Sequence, residues 1–233
     1  MARSATVQPV SKFSADIVIP ALLGCFLIVF GLRQAGPALL LLPVSATIDA
    51  MREQRDVTPE ALDSLISAEK ISLALRENAV GYSDMGLALT LRAGTADKPT
   101  ELIEQARDAL IRSLALSPAN PYAWIRLATV QQSLGADTAL IAKEWRMAVM
   151  TGQNEERLRL PRIKAALGIW PELTPTDRAN VFTDIRALWR QDKTALLREA
   201  ASPFSANAFR AALVVDLPEL VAFEKALKEQ NQK

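Results

Sequence analysis

Residues 114–124 read LALSPANPYAW. A leucine-rich run stops at Ser117-Pro118. Two small or polar residues follow, and Pro121 opens a new apolar stretch at Tyr122-Ala123-Trp124. Proline has no backbone N–H and a fixed φ, so it sits in the first turn of a helix or just beyond its end. The segment therefore reads as the end of one helix, a tight turn and the start of another. Before it, Ala106, Leu110, Ser113 and Leu114 fall on one helical face. After it, Trp124, Leu127 and Ala128 do the same.

The same punctuation recurs on both sides. Thr58-Pro59-Glu60, Thr174-Pro175-Thr176-Asp177, Ser202-Pro203 and Asp216-Leu217-Pro218-Glu219 each put a side-chain oxygen where it can accept the first free backbone N–H of a helix. Leu62, Leu65, Ile66, Glu69 and Leu73 form an i, i+3, i+4 stripe. No alternation of Val, Ile and Thr marks a strand. The proline spacing predicts about nine or ten helices of ordinary length beyond the N-terminal region. Helices this short bury their apolar faces by pairing and stacking. The expected fold class is all-α, with an N-terminal membrane helix ahead of an α-hairpin array.

Two stretches match each other. Tyr82-Ser-Asp-Met85-Gly86-Leu-Ala-Leu89 aligns with Trp124-Ile-Arg-Leu127-Ala128-Thr-Val-Gln131: an aromatic, an aliphatic three residues on, then a small residue that lets a partner helix approach. With the following Ala106–Pro118 and Trp145-x-x-Ala148-Val149 segments, residues 78–154 resemble two tetratricopeptide repeats. The aromatics are 42 residues apart rather than about 34, because of an extra loop near Arg92 to Thr100. The second repeat lacks the closing proline. Arg157 to Gly168 could open a third pair, without its aromatic. The resemblance implies binding rather than catalysis, on a concave face that receives a peptide or helix of a protein partner. It points to Val80, Ser83, Leu87, Thr90, Tyr122, Ile125, Thr129 and Gln132 as the groove. The alternative for each is packing between repeats or plain surface. The groove so drawn is mostly uncharged and lacks a basic clamp for a terminal carboxylate.

Towards the N-terminus, residues 17–32 read IVIPALLGCFLIVFGL with no charge. With residues 13–15 added, the stretch reaches the roughly 20 residues that a hydrocarbon core of about 30 Å requires. A cleaved secretory signal needs a small-residue site, where this chain has Arg-Gln-Ala-Gly-Pro. Leu22-Leu23-Gly24-Cys25 resembles a lipobox, but the apolar run continues for seven residues past the cysteine. A single-pass anchor over residues 13–33 is the reading adopted. It follows a tail of residues 1–12 and precedes an apolar, proline-containing linker of residues 34–57, expected to lie along the membrane interface or to pack on the soluble domain as an extended linker. Residues 58–154 form the repeats and residues 155–233 a C-terminal helical extension. Arg3 and Lys12 favour a cytoplasmic N-terminus at a bacterial inner membrane, with the helical part in the periplasm.

Composition narrows the chemistry. The 233 residues carry 27 basic and 26 acidic side chains, no histidine and one cysteine. That removes Ser-His, Cys-His and histidine–metal arrangements, disulfides and CxxC redox pairs. The balanced charge and the lack of aromatics among the basic residues argue against nucleic acid. No Gly-rich phosphate loop is present and no carboxylate pair is singled out, so neither an enzyme nor a cofactor is expected. One basic run, Arg157, Arg159, Arg162 and Lys164, reads either as a solvated face or as a patch for an anionic partner. The four tryptophans are expected in the core, with Trp170 in a turn the best exception. The resulting expectation is a membrane-anchored adaptor or assembly factor of the cell envelope, surface-polysaccharide machinery being one setting for such a part. A small structural subunit that contacts its complex through the span is the alternative.

Overall fold

The computed structural model describes residues 15–230 and 232. The tail of residues 1–12, Phe13 and Ser14 of the predicted span, and residues 231 and 233 lie outside the described residues. The described residues form twelve α-helices and three short 3-10 turns, with no strand among them.

Helix α1 runs from Ala15 to Leu41, 27 residues, or about 40 Å. It is long and apolar enough to cross a membrane. Ile19, Leu22, Phe26 and Phe30 are all more than half exposed. The segment expected to be a linker is instead helical. Pro37 lies inside α1, a 3-10 turn covers Leu42–Val44, and α2 follows at Ser45–Arg52. Burial overrides the helix-breaking tendency of the prolines here. Pro37 is buried, and Val44, Ile48 and Met51 enter a core with Leu62, Leu65 and Ile66.

The body continues with α3 (Pro59–Leu75), α4 (Ala79–Ala93), α5 (Pro99–Leu116), α6 (Pro121–Ser133), α7 (Thr138–Thr151), α8 (Arg159–Gly168) and α9 (Pro175–Gln191). It closes with α10 (Lys193–Glu199), α11 (Pro203–Leu213) and α12 (Leu217–Gln230). Eleven helices thus follow α1. Ten of them, α3 to α12, make up the body beyond the N-terminal region, within the nine or ten expected from the sequence. The threonine and serine starts are as read: Thr58 Oγ1 accepts from the Ala61 amide at 3.3 Å, Thr174 and Asp177 form a reciprocal capping box, and Ser202 Oγ accepts from the Ser205 amide at 3.0 Å. Asn78, Asp137 and Asp192 cap three further helices.

Neighbours in sequence are mostly neighbours in space. α3 packs on α1 and α4, α4 on α5, α5 on α6, α6 on α7, and α8 and α11 on α9; α6 also touches α4 and α8. Two apolar cores result. The first joins α2 to α6 through residues such as Leu65, Leu89 and Leu110. The second joins α6 to α12 through Trp145, Ile163, Ile185, Phe209 and Phe223. Trp145 and Trp189 are buried, and their indole N–H groups donate to Arg162 O at 2.9 Å and Glu219 Oε2 at 2.6 Å. Trp170, in a 3-10 turn, is half-buried. It meets Phe204 edge-on and carries the Arg178 guanidinium 5.4 Å from its ring centre.

Tyr82 and Trp124 are each the fourth residue of their helix, and Gly86 and Ala128 each the eighth. At Gly86 an added Cβ would stand 2.7 Å from Leu110 Cγ and 3.3 Å from the Ala106 carbonyl oxygen. Gly86→Ala is therefore expected to lower stability by about 1–3 kcal/mol through overpacking. Gly24→Ala, with nothing within 4 Å, is expected to change little. Urea titration of the detergent-solubilised full chain, followed by tryptophan fluorescence, measures both.

Candidate binding cleft

A cleft of ≈ 650 Å³ opens between α2, α3, α4, α6 and α8. α6 supplies Tyr122, Ile125, Arg126, Thr129 and Gln132, whose i, i+3, i+7 spacing lays them along one face. α4 supplies Leu87, Thr90 and Leu91. The opposite side brings Arg157, Leu158, Leu160, Pro161 and Lys164. Met51, Arg52, Arg55 and Val57 close the fourth side.

Of the groove residues named from the sequence, Leu87, Thr90, Tyr122, Ile125, Thr129 and Gln132 line this cleft, and Val80 and Ser83 do not. Val80 is exposed near the start of α4, away from the cleft. Ser83 is buried because Arg126 crosses from α6 to α4. The Arg126 Nη1 group donates to Ser83 Oγ at 2.6 Å and to Ser83 O at 3.1 Å.

The expectation of an uncharged groove is corrected. Arg52, Arg55, Arg126, Arg157 and Lys164 line the cleft against a single acid, Asp56. Sequence reasoning missed Arg52 and Arg55 because they stand in the segment read as a linker. Only the folding of α2 against α3 and α4 brings them round. Four of these cations have partners: Arg52 holds Asp84, Arg55 holds Glu53 at 2.9 Å, Lys164 holds Glu199 at 3.2 Å and Arg126 reaches Ser83 and Asp84. Arg126 stands 3.8 Å from Asp84 and over the Tyr122 ring.

The basic run does not stay together. Arg157 and Lys164 edge the cleft. Arg159 turns to Gln191 at 2.8 Å and Glu156 at 3.3 Å. Arg162 is not a surface residue at all, being 1% exposed. Its guanidinium grips both oxygens of Asp184 at 2.8 Å and donates to the Gly152 carbonyl at 2.6 Å, tying the end of α7 to α8 and α9. Alternation of charged and apolar residues along a chain does not reveal which arginine turns inward.

Under the cleft floor, Asp84 is buried between Arg52 and Arg126. Glu69 of α3 lies close by. Burial, and then the Asp84 charge, push its carboxyl up to about 7, with Arg52 acting the other way. Its Oε2 has no hydrogen-bond partner. Glu144 of α7 is raised to about 7 by burial, against a hydrogen bond from Gln131. Among the described residues no group of three or more His, Cys, Asp or Glu gathers as a metal site. The chain matches no protein-family model, no curated protein and no solved structure.

Two predictions come from these buried charges. Arg162→Met leaves Asp184 buried and unpaired and is expected to cost about 3–5 kcal/mol, with the double variant Arg162→Met/Asp184→Leu recovering most of the loss. Denaturant midpoints of the two variants and the parent decide it. A carboxyl kept neutral by the fold but ionised in the unfolded chain weakens the fold as pH climbs from the ordinary carboxyl range, near 4.3, through about 7. Glu69→Gln and Glu144→Gln are therefore expected to raise the urea midpoint at pH 8 and leave it nearly unchanged at pH 4.5.

Proposed function

We propose that the chain is a membrane-anchored interaction protein, an adaptor or assembly factor of a bacterial cell envelope. In this reading α1 spans the inner membrane with the N-terminus in the cytoplasm, and the helical body stands in the periplasm. The hairpins from α4 onward form a tetratricopeptide-like array that offers its cleft to a segment of another protein. The observation that carries the reading is the convergence of Leu87, Thr90, Tyr122, Ile125, Thr129 and Gln132, drawn from two separate helices, on one concave site.

The array is supported by the equal phase of Tyr82 and Trp124 and by the contacts of α6 with both α4 and α8. In a hairpin array such contacts join the first helices of successive pairs. The cleft chemistry suits an amphipathic, acidic segment. Leu87, Leu91 and Leu160 offer apolar walls, and Arg157 offers a cation with no ion pair among the described residues. Anchoring raises the effective concentration of such a site for partners in the same membrane. The orientation rests on Arg3 and Lys12 ahead of the span. A second reading, a structural subunit held by its span, is favoured by the open surface of α1, where Gly24 and Gly31 have nothing within 4 Å and small residues allow close helix contact.

A photo-cross-linking residue at Thr129 of the full chain, which is exposed, is expected to capture a membrane-associated protein. Thr90→Arg, which narrows the cleft, is expected to reduce that capture roughly tenfold, the scale of an interface hot spot. Capture that survives Thr90→Arg but is abolished by Gly24→Leu would assign the contact to the span.

A further inference from the structure

One end of the helical body collects exposed apolar side chains beside α1. After the turn at residues 53–58, α3 runs back along α2, the 3-10 turn and α1. Its 17 residues cover about 25 Å. The eight residues of α2 and three of the turn account for roughly 18 Å of that. The C-terminal end of α3 therefore reaches past Leu41 and lies against α1 near the buried Pro37. Ile71, Leu75 and Val80, at this end of α3 and the start of α4, are 55%, 56% and 55% exposed. α5 ends in the same place, because Ser113 Oγ donates to the Ala79 carbonyl at 2.7 Å, and there Leu116 is 46% exposed. On the α1 side, Leu39 and Leu42 are exposed as well.

Charge at this end is mainly positive. Lys70, Arg76 and Arg112 stand among the apolar side chains, and Glu77 is held by Arg112 at 2.8 Å. The cleft residues Leu87, Thr90 and Leu91 lie towards the opposite end of α4.

We propose that this end of the body, centred on Ile71, Leu75 and Val80, rests in the headgroup layer of an anionic bilayer. The proposal deepens the reading of α1 as an anchor and depends on it. About 20 helical residues cross the hydrocarbon core, so the span read over residues 13–33 ends at Arg33, and Gly36, level with the end of α3, stands about 5 Å further out, in the headgroup layer. Beyond the exposed Arg33, the chain turns apolar again at Leu39 and Leu42, at the same end of the body as Ile71 and Leu75. Half-exposed aliphatic side chains set between lysine and arginine fit the acyl–headgroup boundary, where the alkyl part enters lipid and the cation meets phosphate.

The test uses the full chain in vesicles of phosphatidylcholine with phosphatidylglycerol. Cys25 is the only cysteine, so it takes an environment-sensitive fluorophore directly. Leu75→Cys, Val80→Cys and Asp97→Cys, each made with Cys25→Ser, carry the same label elsewhere. Asp97 is exposed in the turn between α4 and α5, at the far end of the body. The expected result is strong quenching of the Cys25 label by acyl-chain spin labels. At positions 75 and 80 the emission should be blue-shifted and quenched by headgroup spin labels, more weakly when phosphatidylglycerol is omitted. The label at position 97 should stay water-like. A quenched Cys25 label with positions 75 and 80 indistinguishable from 97 overturns the docking and leaves the anchor standing. Blue-shifted but unquenched labels at 75 and 80 also overturn it and assign the surface to a second copy or another protein. An unquenched Cys25 label overturns the anchor, and the docking with it.

Discussion

α6 is the shared wall of both apolar cores, and the arrangement of the body follows from that. Ala123, Leu127 and Val130 face the N-terminal core, and Ile125 and Ala128 face the C-terminal one. Burial of side chains such as Ile125, Leu127 and Val130 contributes about 1.5–3 kcal/mol each, divided between two directions rather than spent on one. The ends of α6 are also held. Gly152 at the end of α7 leaves no room for a Cβ beside Pro121, and Gly168 at the end of α8 lies against the Gln132 side-chain amide. With its rotation and height fixed, α6 presents Tyr122, Arg126 and Thr129 in a set register. The cleft is thus a by-product of how the two cores are joined.

The interior tolerates charge in two different ways. Arg162 is held by both oxygens of Asp184 and by two backbone carbonyls, so its desolvation is offset by four hydrogen bonds. Glu69 and Glu144 are not offset in this way. Each keeps one oxygen without a partner, and the neutral carboxyl is the form the fold favours. The first arrangement specifies how α7, α8 and α9 meet. The second leaves two weak points, one next to the Arg52–Asp84–Arg126 cluster and one at the contact of α6 with α7.

Much of the helical pattern could be read from proline and its neighbours, because an N-cap and a missing N–H act within a few residues. Thr58, Thr174 and Ser202 illustrate this. The register of the cleft on α6 was legible for a similar reason: the positions follow from one helix and its period. What escaped depends on distant parts of the chain. Nothing local says that the helix continues through Pro37, since the burial that stabilises it comes from α3. Nothing local says that Arg52 and Arg55 turn towards Tyr122 and Thr129, or that Arg162 goes inside while Arg159 stays out. The extended form read for residues 34–57 gave way to helix where tertiary packing outweighed local preference.

The absence of a flexible joint after α1 changes what kind of attachment this is. Pro37, Val44, Ile48 and Met51 are buried in the body, so the helix proposed to leave a bilayer is already part of the folded mass. A loose tether would set only a radius within which the cleft wanders. A strut sets an altitude. Arg52 stands roughly 18 Å of helix beyond Leu41, and one residue added or removed between them would turn the cleft by about 100° as well as shifting its level. Under the proposed function, a partner in the same membrane would have to deliver its segment at one height and from one side, which sorts candidates by the geometry of their own membrane exit before any contact is made.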